Sequence, residues 1–118
     1  AYYRLDQLVD ELAAFPPTDE RYVTKMRRLQ NTDVLILDDF LTIGINQRGQ
    51  EDLTKIIFDR DGRLPTIIVS QTTAAYWVQK LPDPVAADSL VSRLNTGQRV
   101  ELGEYDMRHF LATQLETE

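Results

Sequence analysis

Apolar positions along the chain follow two periods, and their alternation sets out the fold. Leu5, Leu8, Val9 and Leu12 recur at helical spacing, predicting an amphipathic helix from about Asp6 to Ala14 after a short strand over Tyr2 to Leu5. Pro16 and Pro17 stop it, and Thr18 is the expected N-cap of a second helix. That helix opens on Asp19 and Glu20 and closes on Lys25, Arg27 and Arg28, complementing the helix dipole at both ends. Val34-Leu35-Ile36-Leu37 is too short and too uniformly apolar for either amphipathic pattern, and it predicts a strand over 33–37 buried on both faces. A loop holding Gly44 and Gly49 leads to a helix from about Gln50 to Arg60, whose stripe is Leu53, Ile56 and Ile57 and whose capping glycine is Gly62. Thr66 to Gln71 reads as a second buried strand, followed by a helix near Ala74 to Lys80, a break at Pro82-Asp83-Pro84 and a helix from Val85 to Leu94. Gln98 to Leu102 reads as a last strand, and Asp106 as the cap of a final helix over Met107 to Leu115. Strands alternating with helices predict an α/β fold, a three-layer parallel sheet of about four strands flanked by helices.

Composition narrows the chemistry. The 118 residues suffice for one domain with a real core. No apolar run approaches the roughly 20 residues that span a bilayer, and no signal-peptide pattern appears. The absence of cysteine excludes disulfides and thiolate metal sites and suits a cytoplasmic location. A single histidine, His109, makes histidine-based catalysis a poor candidate, and a net charge of -6 argues against blanket nucleic-acid binding. The opening Ala1-Tyr2-Tyr3-Arg4-Leu5 is already strand-like and carries no initiator methionine, as expected for part of a longer protein.

Polar residues collect where the predicted strands end. Asp38 and Asp39 terminate the central strand, at the sheet edge where ligands gather in open α/β folds. Adjacent carboxylates there suit a hydrated divalent cation or the polarising of water, the alternative being that they cap the following turn. Ser70 and Gln71 end the next strand, Arg93 closes a helix, and Arg108 lies in the first turn of the last helix, where a cation opposes the dipole. All four features are expected on one sheet edge: carboxylates for a metal, a hydroxyl and an amide for orienting water, and two guanidinium groups for phosphate oxygens. Taken singly, Ser70-Gln71 could serve only the turn, Arg93 only the helix dipole, and Asp106 could itself neutralise Arg108. Arg21, Lys25 and Arg28 share one face of the second helix, either a solvated face or a small phosphate-contacting stripe.

The residues from Asp33-Val-Leu-Ile-Leu-Asp-Asp-Phe40 through Gln50-Glu-Asp-Leu53, Asp59-Arg60-Asp-Gly62, Thr66-Ile-Ile-Val-Ser-Gln71, Asp83-Pro84, Ala87-Asp88, Ser92-Arg93-Leu94 and Gly103-Glu104 to Met107-Arg108 resemble the IstB-like ATPases. These are insertion-sequence transposition helpers related to DnaC-type helicase loaders within the AAA+ class. The resemblance implies a P-loop NTPase-type fold with ATP and Mg²⁺ as cofactors. It also implies Asp38 as the Mg²⁺-holding acid, Asp39 positioning the attacking water, Ser70 reading the γ-phosphate, Arg93 acting on nucleotide in a neighbouring subunit and Arg108 acting in its own. DNA, a transposase or replicative helicase, and further copies of the protein are the implied partners. No glycine here is followed by lysine, so the phosphate-cradling G-x-x-x-x-G-K-[ST] loop is not in this sequence. Gly44 to Gly49 copies its glycine spacing but continues into Gln50-Glu51, whose acid would repel phosphate. In the family that loop and its strand precede the segment matching Tyr2, and the strand lies between the Ser70 strand and the last one. Its neighbour is therefore expected to be displaced or the gap filled by another molecule, and the chain alone is expected to bind or hydrolyse ATP poorly. Two other readings are a non-catalytic module docking on DNA or protein, and a metal-dependent nuclease or phosphatase built on Asp38 and Asp39.

Overall fold

The computed structural model describes residues 1–95, in the order β1 (Tyr2–Arg4), α1 (Leu5–Ala13), α2 (Glu20–Asn31), β2 (Leu35–Asp38), α3 (Gln47–Arg60), β3 (Thr66–Ile68), α4 (Ala74–Gln79) and α5 (Pro84–Asn95). The strands form one parallel sheet in the order β1-β2-β3, flanked by helices. Three of the about four expected strands are thus in place. The expected strand over 98–102, the helix over 107–115 and Arg108 lie outside the described residues, as does the gap expected beside that last strand.

Strand order follows chain order, so right-handed crossovers carry the connecting helices over the same face of the sheet. Leu35 and Leu37 point into that face. There they join Leu5, Leu8 and Leu12 of α1, Tyr22, Met26 and Leu29 of α2, Leu53 and Ile56 of α3, and Ala87 and Leu90 of α5 in one buried cluster. Tyr2, Arg4, Ile36 and Asp38 have the opposite parity: Tyr2 pairs with Ile36 and Arg4 with Asp38.

Several boundaries differ from the sequence expectation for local reasons. Asp19, not Thr18, caps α2, its carboxylate accepting from the Arg21 amide at 2.8 Å. Helix α3 starts at Gln47 because Asn46 accepts the Gly49 amide at 2.8 Å. Gly49 therefore lies inside the helix, where a Cβ would come within 2.7 Å of Val9 Cγ1. The close approach of α1 to α3 demands that glycine, so the second glycine of the apparent phosphate-loop spacing serves packing. Gly62, with φ of +72°, ends the α3 turn as expected.

Three buried polar side chains join the helices to one another and to the sheet. Arg60, 1% exposed, reaches Thr66 Oγ1, Pro65 O and the carbonyls of Leu29 and Thr32 at the end of α2. Asp52 accepts from the Tyr22 hydroxyl at 2.5 Å and from Arg48 Nε at 3.2 Å. Gln50 exchanges two bonds with the Asp83 backbone, donating to its carbonyl at 2.9 Å and accepting its amide at 2.8 Å. Asp83 in turn caps α5 through the amides of Val85 and Ala86, and Pro84 sits at the helix start, where its missing N–H costs nothing.

Candidate functional site

Asp38 and Ser70 leave the sheet at the same end. Strands β2 and β3 run parallel, the Val69 amide bonds to Leu37 O at 2.9 Å, and the Phe40 amide bonds to Val69 O at 3.0 Å. The two strand ends are thus knitted together beyond the last ladder pairs.

Every oxygen of the acid pair has one donor from its own chain. Asp38 Oδ1 accepts from the Asp39 amide at 2.8 Å, and Asp38 Oδ2 accepts from the Tyr2 hydroxyl. Asp39 Oδ1 accepts from Thr42 Oγ1 at 2.7 Å, and Asp39 Oδ2 lies 3.3 Å from Arg4 Nη2. A carboxylate oxygen can accept two bonds, so both acids retain capacity toward a cation or a water. The turn holding them is strained: Asp39 and Leu41 both have φ of 53°. Aspartate tolerates that region and leucine does not, so its cost of roughly 1–2 kcal/mol falls mainly on Leu41. Burial of Leu41 to 1% exposure offsets it, a leucine side chain contributing about 1.5–3 kcal/mol.

Burial first, and then the hydrogen bond and charge of Asp38, push the Tyr2 phenol up to about 12, against an opposing pull from Arg4. Tyr2 therefore stays protonated at neutral pH and acts as a donor.

Ser70 is occupied. Its hydroxyl lies 3.1 Å from Phe40 O and from Thr72 Oγ1, and it accepts the Thr72 amide at 3.1 Å and Trp77 Nε1 at 3.2 Å. The Trp77 ring meets Phe40 edge-to-face at 4.9 Å, closing the knot between the two loops. Gln71, one residue on, is exposed at the rim.

Arg93 is not on this rim, contrary to the expected convergence. It stacks on the Phe58 ring at 3.9 Å and pairs with Asp61 at 2.9 Å, just past the end of α3. Helix α3 starts on the rim side and runs 14 residues, so Arg93 stands about 20 Å away at the sheet's other end. The reason is topological: helices that return a parallel strand run antiparallel to it, and their last turns reach the amino ends of the strands.

The cations of α2 are largely used within the chain. Arg21 forks onto Asp19 and lies over Phe15, and Lys25 pairs with Glu11 at 2.7 Å and faces the Tyr3 ring, while Arg28 is exposed. Among the described residues no group of three or more histidine, aspartate or glutamate side chains converges, so the nuclease reading gains no support there. None of the described helices is long and apolar enough to cross a membrane.

Tyr2, Arg4, Thr42 and Trp77 join the site in the structure without being singled out by motif or strand-end position. A signal was present for the first two, because alternate residues of a strand share a face and both belong to the parity of Asp38. The left-handed turn that brings Thr42 back to Asp39 had none.

Comparison with known proteins identifies the family. Residues 1–111 match the family model described as IstB-like ATP binding protein. A relative in Sinorhizobium fredii (strain NBRC 101917 / NGR234), whose name describes an insertion sequence ATP-binding protein, is 34% identical over 108 residues, 91% of this chain and 44% of its own length. A second from the same strain, similarly named, is 34% identical over 72% of this chain and 35% of its own length. One from Mycobacterium tuberculosis (strain ATCC 25618 / H37Rv), named for an ATP-binding protein in an insertion sequence, is 34% identical over 70% of this chain and 34% of its own length. The chain spans less than half the length of each of these relatives. From Tyr2 to beyond Arg108, it belongs to the IstB-like ATP-binding protein family.

Proposed function

We propose that this chain is the acid-pair and phosphate-reading portion of an ATPase that assists DNA transposition or the loading of a replicative helicase. The observation that supports this reading is the knot at the rim, where Asp38-Asp39 and Ser70-Gln71 leave adjacent parallel strands at one end and are bonded to each other through Phe40 and Val69. Asp38 would hold Mg²⁺, which tolerates one or two carboxylates when phosphates and waters fill its remaining positions. When bound, that ion offsets the charge of the phosphates. Asp39, steadied by Arg4 and Thr42, turns its remaining lone pairs toward a water. The hydroxyl of Ser70 braces the turn, and the exposed Gln71 amide takes over the contact with phosphate. Arg93, at the far end of the sheet, serves the nucleotide of a neighbouring copy, and Arg108 serves its own. Of the α2 stripe, Arg28 has the best access to DNA phosphates.

Mg²⁺-ATP added to the isolated chain at millimolar concentration should shift the backbone NMR signals of Asp39, Phe40 and Gln71, and Asp38→Asn should remove the Mg²⁺ dependence. Shifts centred elsewhere, or none, would refute the reading. A fluorescent ATP analogue should bind the isolated chain far more weakly than micromolar, because the metal site and two arginines cannot replace a glycine-rich cradle and its lysine. Charge reversal at Arg21, Lys25 and Arg28 together should weaken DNA binding and flatten its salt dependence; unchanged binding removes α2 as a DNA face.

A further inference from the structure

Among the described residues around the acid pair, Tyr2 alone reaches an acid from a neighbouring strand without bringing a charge. Its ladder partner is Ile36, and Asp38 lies two residues further along β2 on the same face, a diagonal of roughly 8 Å that the tyrosine and aspartate side chains span together. The hydroxyl ends on Asp38 Oδ2 while the Asp39 amide holds Oδ1, so both edges of the carboxylate are gripped and its rotation about Cβ–Cγ is blocked. A lysine or arginine in place of Tyr2 would compete with a bound cation for the same oxygens. A neutral hydroxyl fixes the oxygen and leaves it a lone pair.

We propose that Tyr2 is a positioning residue for Asp38: its hydroxyl, delivered across the sheet from β1, sets the direction in which that carboxylate meets a divalent cation. The proposal rests on the reading of Asp38 as a cation-holding acid. Partners one bond removed from a metal fix the orientation of its ligand, and their loss commonly weakens metal affinity ten- to a hundredfold.

The test uses the 118-residue chain, with Mn²⁺ alone as the probe and ¹⁵N-resolved NMR as the readout. Mn²⁺ should broaden the amide signals of Asp38, Asp39 and Phe40 in the unsubstituted chain. Tyr2→Phe keeps the ring and its packing, and should need about tenfold more Mn²⁺ for the same broadening. The Asp38 carboxyl ¹³C signal should move, while signals of α1, α2 and α3 stay in place. Equal Mn²⁺ dependence in Tyr2→Phe, with broadening lost in Asp38→Asn, overturns the role of Tyr2 and leaves the cation site standing. Broadening that Asp38→Asn does not alter, or none in the unsubstituted chain, overturns the cation site and this inference with it. A Tyr2→Phe spectrum displaced throughout the sheet shows a purely structural tyrosine and also overturns the inference.

Discussion

Replacing Arg60 by methionine should destabilise the fold by roughly 3 kcal/mol. The guanidinium is almost wholly buried, and burial, followed by repulsion from Arg63, lowers its pKa from the ordinary arginine value. Among the described residues no carboxylate is bonded to it; its contacts are Thr66 Oγ1 at 2.9 Å, Leu29 O at 3.0 Å, and Thr32 O and Pro65 O, both at 2.6 Å. Helix α2 ends at Asn31 with Thr32 as its extended C-cap, and no glycine turns the chain to satisfy its last carbonyls. Arg60 does this from α3, where its charge also meets the negative end of the α2 dipole. Methionine fills similar space and relieves the buried charge, but leaves Leu29 O and Thr32 O without this donor. Each buried carbonyl so orphaned costs about 1–3 kcal/mol. Pro65 O loses less, because it also accepts the Leu35 amide. Urea unfolding followed by the fluorescence of Trp77 measures the outcome. With a slope of about 1–3 kcal/mol per molar, the midpoint should fall by about 1–3 M. Arg60→Lys should fall between the two, because one ammonium reaches fewer of the four acceptors. An Arg60→Met midpoint equal to that of the unsubstituted chain would show that α2 needs no such cap and refute the reasoning.

Two further perturbations probe packing and protonation. Gly49→Ala should lower the same midpoint, because the new methyl meets Val9 Cγ1 at 2.7 Å and Ile45 Cβ at 3.2 Å. Overpacking of about 1–3 kcal/mol outweighs the helix-propensity gain of about 1 kcal/mol. Adding Val9→Ala should cost less in the Gly49→Ala background than alone, and strict additivity would count against the contact. Tyr2 and Tyr22 both hold their phenol protons above the ordinary value of 10.0, Tyr2 to about 12 and Tyr22 further, chiefly through burial and then through Asp38 and Asp52. The folded chain thus keeps these protons after the unfolded chain has lost them. The stability they contribute is complete below about pH 10 and fades as pH rises toward and past 12. Thermal unfolding between about pH 9 and 12 should show a shallower decline for Tyr22→Phe than for the unsubstituted chain; parallel curves would exclude Tyr22 as a source.

The strands, the helix stripes and the shared rim of Asp38 and Ser70 were legible because each rests on local pattern or on a parallel ladder. What escaped depends on contacts between distant segments. The start of α3 at Asn46 is one such case: Gly49 discourages helix locally, and only the nearness of Val9 explains the glycine. Arg60 is almost wholly buried through contacts with α2 and β3 that nothing in its neighbours in sequence signals. Residue type and order alone put Arg93 on the rim, whereas α5 runs beside α3 from the Gln50–Asp83 contact to the Arg93–Asp61 pair. That parallel course beside α3 carries it to the far end.

Pro82-Asp83-Pro84 has the composition of a hinge, yet Gln50 makes it a weld. Two hydrogen bonds between the Gln50 side-chain amide and the Asp83 backbone clamp the joint to the opening turn of α3 and oppose any swing of α5 on its prolines. The span from the acid pair to Arg93 is accordingly set like the length of a girder, and a second molecule using both ends must fit that length.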